Sequence, residues 1–178
     1  MAPRSGSRLP ASEMAADRRK LVLFAATLLA IVTIDFVTKA IVQRTFVLHE
    51  QIEVLGSFLR LTYIHNPGAA FGIYLGESSR LIFMALSVAA LVVLTLMYWY
   101  TPALDRIRLF AIALICAGAL GNLLDRIRSP HGVIDFVDVG VGQWRWPVFN
   151  VADMAVTVGA VALALSLWRE DRRQPEAA

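Results

Sequence analysis

LVLFAATLLAIVTIDFVTKAIV, residues 21–42, carries two charged side chains inside a stretch long enough to cross a bilayer. A transmembrane helix needs about 20 mainly apolar residues, and three further runs meet that length: Leu81–Tyr100, Ile107–Arg126 and Pro147–Trp168. The chain is 57% hydrophobic and only 17% charged, with a mean hydropathy of +0.60, which excludes an ordinary soluble domain. The remainder is one connection of about 40 residues, one of about 20 and two short tails, too little for a separate soluble domain. The expected fold is an all-α membrane protein of four transmembrane helices, with a small periplasmic β-hairpin or sheet between spans 1 and 2. In domain terms this gives a cytoplasmic tail at 1–20, one four-span domain at 21–168 and a second tail at 169–178. Within the domain, outer segments fall at about 43–79 and 127–146.

The net charge of +3 and pI near 9.4 do not indicate nucleic acid, because the basic residues flank the apolar runs instead of forming a stripe with aromatic platforms. Arg4, Arg8, Arg18, Arg19 and Lys20 precede the first run, Arg106 and Arg108 separate the second and third, and Arg169, Arg172 and Arg173 follow the fourth. The positive-inside bias places all three segments, and hence both termini, in the cytoplasm. The first run is too long for a cleaved secretory signal and lacks a small-x-small site after it. The sole cysteine, Cys116, lies mid-span and reads as a small core hydrophobe.

Between spans 1 and 2, Gln51–Leu55 and Phe58–Ile64 are rich in β-branched and aromatic residues around Gly56-Ser57, which predicts a hairpin. Asn66-Pro67-Gly68-Ala69-Ala70-Phe71-Gly72 follows as a turn-forming, small-residue stretch. Span 3 contains Gly118, Ala119 and Gly121, residues that allow close helix packing in lipid. Trp144, Trp146 and Phe149 read as an interfacial belt, and Pro147 as the first residue of the fourth helix. Residues 1–16 read as a disordered tail.

Charge inside a span costs free energy, so each such residue needs a reason. Span 1 runs outward, which puts Asp35 and Lys39 roughly 20 Å above its first apolar residue. Asn122, Asp125 and Arg126 close the outward-running span 3, and Asn150 and Asp153 open the inward-running span 4. Asp135 lies in the outer segment between them. Four separate stretches therefore deliver polar groups to one layer. Asp35 and Lys39, four residues apart, form a structural pair on one helix face. Asp125 is read as orienting its neighbours, and Asp138, before Val-Gly-Val-Gly, as solvated.

Asp135 and Asp153 are flanked by apolar residues and have no local cation. Two carboxyls brought together in a low-dielectric site share a proton. The ionised one can then take a proton from water while the other donates to a carbonyl oxygen. Spacing alone leaves open whether the two meet. No Gly-x-Ser-x-Gly elbow occurs, and His49-Glu50 is not completed as a zinc motif, since Glu53 stands at the second ligand position. His49, His65 and His131 are scattered along the outer segments and read as surface histidines.

Five ordered blocks resemble the bacterial lipoprotein signal peptidases (signal peptidase II): Asp35–Lys39, Asn66–Phe71, Gly118–Arg126, Val133–Phe136 and Phe149–Asp153. The resemblance covers about residues 22–168. It implies an aspartic endopeptidase whose catalytic dyad is Asp135 and Asp153. It also implies that Asn66, Asn122, Arg126 and Asn150 hold the substrate, with Asp35, Lys39, Asp125 and Gly118 supporting the site. The implied substrate is a diacylglyceryl-modified prolipoprotein cut before its lipidated cysteine. No metal or organic cofactor is implied, globomycin-type cyclic peptides are the implied inhibitors, and the chain is taken as a monomer in the inner membrane. Two rivals stand beside this reading. One is a small proton-coupled transporter or channel relaying through Asp35, Asp125 and Asp153, and the other is a non-catalytic scaffold that binds lipoproteins.

Overall fold

The computed structural model describes residues 10–68 and 75–173. Along the chain run α1 (Ala11–Thr45), β1 (Gln51–Leu55), β2 (Leu59–Asn66), α2 (Ser79–Tyr100), α3 (Arg106–Arg128), β3 (Val133–Val141), β4 (Trp144–Arg145) and α4 (Val151–Arg173). Among the described residues four helices are long and apolar enough to span a membrane. The expected hairpin is present as β1 and β2. The last three residues of the Asn66–Phe71 block that could be placed by sequence, from Ala69 on, lie outside the described residues.

The helices divide their labour by burial. In the apolar window of α3, 56% of residues are buried, against 6% in α1, 6% in α2 and 17% in α4. Helix α3 is therefore the hub, and its neighbours turn apolar faces outward, as lipid-facing helices must. Small residues set the closest approach. A Cβ on Gly118 would stand 2.3 Å from the carbonyl oxygen of Ala152, and one on Gly121 would stand 2.7 Å from Asp35 Oδ2. These two positions let α4 and the Asp35 carboxylate lie directly against α3.

A four-stranded antiparallel sheet, in the order β1-β2-β3-β4, sits at one end of the bundle. Ile64 pairs with Asp135 and Asn66 with Val133, so the end of β2 and the start of β3 lie side by side above the helix ends. Gly132 makes that approach possible: its φ is +97°, and a Cβ there would meet the Asn66 carbonyl oxygen at 2.2 Å.

Several boundaries differ from expectation. Helix α1 begins at Ala11, so residues 11–16 are helical instead of forming a disordered tail; the Ala, Glu and Met there are good helix formers continuous with the span. Helix α4 begins at Val151, not Pro147. Pro147 belongs to an extended lead-in, and Phe149 forms a β-bridge to Val137, with its N–H donating to the Val137 oxygen at 3.0 Å. The outer segment from 127 to 146, read from the sequence only as a connection, supplies β3 and β4. Asp138 is buried, not solvated: it accepts from Arg145 Nε at 2.6 Å and from Thr62 Oγ1 at 3.2 Å, tying three strands together.

Candidate active site

The first turn of α4 organises the polar layer. Asn150 is its cap: Asn150 Oδ1 accepts from the Asp153 N–H at 2.9 Å, while Asp153 Oδ2 accepts from the Asn150 N–H at 3.2 Å. This reciprocal capping box satisfies backbone donors that would otherwise be unpaired at the helix start. The next free donor, the Ala152 N–H, goes to Asp35 Oδ1 at 2.9 Å. Two carboxylates thus sit at the positive end of the α4 dipole, where negative charge is favoured.

Asp35 is held in turn by Lys39, whose Nζ lies 2.8 Å from Asp35 Oδ2 and 2.8 Å from Asp125 Oδ2, and 3.1 Å from Asn122 Oδ1. Lys39 and Asp35 are both buried. One ammonium with two carboxylates and an amide oxygen around it has every donor engaged, the condition under which a buried ion pair is tolerated. Asp125 also accepts weakly from the Ile134 N–H at 3.4 Å, which links α3 to β3. These contacts give Asp35, Lys39 and Asp125 an architectural place.

Asp135 comes from β3 and Asp153 from α4, and two asparagines connect them. Asn150 Nδ2 donates to Asp135 Oδ1 at 2.7 Å and to Asn122 Oδ1 at 3.1 Å. Asn122 Nδ2 donates to Asp153 Oδ1 at 2.8 Å. Asn66 Nδ2 donates to Asp135 Oδ2 at 2.9 Å from the opposite side. Asp135 is 1% exposed and Asn150 fully buried. Burial and the nearby Asp153 carboxylate push the Asp135 carboxyl up to about 7, against the pull of the Asn66 and Asn150 amides and of Lys39. The two groups that sequence alone could not join are therefore electrostatic neighbours.

Arg126 points back toward the chain after β2. Its Nη2 donates to the Gly68 oxygen at 2.7 Å and its Nη1 to the Asn122 oxygen at 3.2 Å. Its buried Nε has no hydrogen-bond partner among the described residues. The Asn66 side chain closes a local turn by accepting from the Gly68 N–H at 2.9 Å. Beside Asp153 a mainly apolar groove of about 470 Å³ opens between Asn66, Trp146, Val148, Met154 and Val158. Among the described residues no group of three His, Cys, Asp or Glu side chains could hold a metal ion.

One feature escaped the sequence reading. Tyr63 Oη and His65 Nε2 lie 3.0 Å apart, and the His65 ring stacks obliquely on His131 at 5.5 Å. Burial, then the nearby His131, push His65 below its usual value, against the opposing pull of Asp125. Only strand pairing brings residues 65 and 131 together, so spacing carried no signal of it.

Residues 27–169 match the sequence profile of the Signal peptidase (SPase) II family. The lipoprotein signal peptidase of Desulforapulum autotrophicum is 44% identical over 148 residues, covering 82% of this chain and 91% of its own. That of Geobacter sulfurreducens is 40% identical over 153 residues, covering 85% and 95%. A solved bacterial membrane enzyme, determined by the in meso method at 2.3 Å, superposes with a TM-score of 0.76 at 30% identity, over 83% of this chain and 88% of that one. The chain belongs to the signal peptidase II family, the multi-pass membrane aspartic endopeptidases that process prolipoproteins.

Proposed function

We propose that Asp135 and Asp153 are the catalytic dyad and that they share one proton when the enzyme is active. The observation that carries this is the asparagine-bridged pairing of the two carboxyls, with Asp135 held near neutrality in charge by its burial and by Asp153. Asp153, at the positive end of α4, is the ionised member and takes a proton from water. Asp135 is the acid and donates its proton to the scissile carbonyl oxygen as the water oxygen bonds to carbon. The tetrahedral intermediate then collapses: Asp153 passes the proton it took from water to the leaving nitrogen as the carbon–nitrogen bond breaks, a hydroxyl proton of the intermediate returns to Asp135, and the dyad is again singly protonated.

In this reading Asn122 and Asn150 are positioning residues, since their side chains are spent on the dyad and on Lys39. Asn66 and Arg126 face the substrate backbone. The apolar groove beside Asp153 receives the apolar part of a diacylglyceryl prolipoprotein cut before its lipidated cysteine, and globomycin-type inhibitors compete there. The distribution of arginine and lysine around the spans supports cytoplasmic termini and a periplasmic site.

The test is cleavage of a synthetic lipidated precursor peptide by purified protein. Asp135→Asn and Asp153→Asn each lose at least a thousandfold in kcat while melting cooperatively and still binding the peptide. Retained cleavage in either variant would reassign the dyad.

A further inference from the structure

Helix α1 is longer than its membrane span requires. At 1.5 Å per residue its apolar stretch from Leu21 to Val42 covers the roughly 30 Å hydrocarbon core, which leaves the turns before Leu21 at headgroup depth. The apolar stretch of α3 begins at Ile107, immediately after Arg106, and Arg106 lines the same groove as Arg18, Arg19, Val22 and Leu23 of α1. Trp99 and Tyr100, 70% and 85% exposed, mark it from α2 as interfacial aromatics do.

Between the start of α1 and the α2–α3 turn lies a groove of about 900 Å³ lined by Arg18, Arg19, Lys20 and Arg106. Its floor is apolar, including Val22 and Leu23, and no acidic residue lines it. Lys20 is committed: its Nζ donates to the Thr101 oxygen at 2.7 Å and sits 4.5 Å above the Tyr98 ring. That contact clamps α1 to the end of α2 and fixes the groove's shape. Arg18, Arg19 and Arg106 are exposed and, among the described residues, make no ion pair. Asp105, the cap residue before α3, is occupied by Arg108 at 3.2 Å, and Glu13 and Asp17 on α1 lie outside the lining.

We propose that this groove binds one anionic phospholipid, its phosphodiester held by Arg18, Arg19 and Arg106 and an acyl chain laid along Val22 and Leu23. The charge calls for an anion, and arginine forks match phosphate oxygens. The apolar floor continues from headgroup depth into the hydrocarbon layer, and a ligand that crosses that boundary with charge at one end and a chain at the other is a lipid. The assignment does not depend on the protease reading.

The experiment places the full chain in phosphatidylcholine nanodiscs doped with phosphatidylglycerol of matched acyl chains and counts retained lipid by native mass spectrometry. The wild type keeps one phosphatidylglycerol in preference to phosphatidylcholine. The Arg18→Gln/Arg19→Gln/Arg106→Gln variant loses that preference by roughly a hundredfold, and Arg106→Gln alone by about fivefold, which decides the matter should the triple variant fail to fold. Equal retention of the two lipids by the wild type, unchanged preference in the variants, or displacement of the lipid by millimolar inorganic phosphate would each overturn the assignment.

Discussion

Replacing Gly118 by alanine tests whether the spacing between α3 and α4 sets the activity. The new Cβ would stand 2.3 Å from the Ala152 oxygen and 2.6 Å from Val156 Cγ2, where real Cβ contacts essentially never fall under 3.0 Å. Helix α4 must therefore retreat by roughly 0.7 Å, carrying with it Ala152 and Asp153. The Asn122–Asp153 bond, 2.8 Å in the native protein, then stretches to the edge of hydrogen-bond range. A misplacement on the order of 1 Å at reacting groups costs about a hundredfold in rate, so a fall in kcat of roughly ten- to a hundredfold is expected. Gly159→Ala is the control. It meets Ile115 and the Ala111 oxygen at 2.7 and 2.8 Å on the same helix pair, but nearly two turns deeper than Asp153. Both variants should lose thermal stability in detergent, and only Gly118→Ala should lose much of its kcat on lipidated peptide at a temperature where both are folded. Wild-type kcat in Gly118→Ala, or equal losses in the two variants, would refute the argument.

Two further outcomes follow from the buried charges. Lys39→Met leaves Asp35 and Asp125 without their shared cation, and should lower stability by about 3–5 kcal/mol, read as a melting temperature well below that of Lys20→Met; equal melting temperatures would contradict a buried network. The Asp135 carboxyl titrates near 7 in the folded protein and from 3.8 when unfolded, so the folded state binds the extra proton. Its contribution to stability is complete below the unfolded value and is lost as pH rises through about 7, with an upper bound of roughly 4 kcal/mol. The melting temperature of the wild type should therefore fall between pH 5 and 8 by more than that of Asp135→Asn, and parallel curves would count against the assignment.

Much of this architecture is written locally in the chain. The four spans are continuous apolar runs, the β1–β2 hairpin is a β-branched pattern around Gly56-Ser57, and the polar layer follows from counting along outward and inward helices. What was not legible depends on partners remote in sequence. Asp138 on β3, set before Val139-Gly140, looks solvated until Thr62 and Arg145 are brought to it. Pro147 suits a first helical position as well as it suits an extended lead-in, so the sequence alone starts α4 too early; the pairing of Phe149 with Val137 decides between the two. Asn150 and Asp153 already had the three-residue spacing of a capping box, a signal hidden behind their reading as site residues. The meeting of Asp135 with Asp153 was likewise invisible to spacing, since it needs Asn122 and Asn150 between them.

Infrared titration of the carboxyl stretch in the resting enzyme tests most directly whether Asp135 and Asp153 behave as one proton-sharing unit. The account predicts a protonated-carboxyl band that persists to neutral pH, disappears with a midpoint near 7, is absent in Asp135→Asn, and shifts to lower pH in Asp153→Asn. A wild-type enzyme with no such band above pH 5, or a midpoint that ignores the loss of the Asp153 charge, would contradict it.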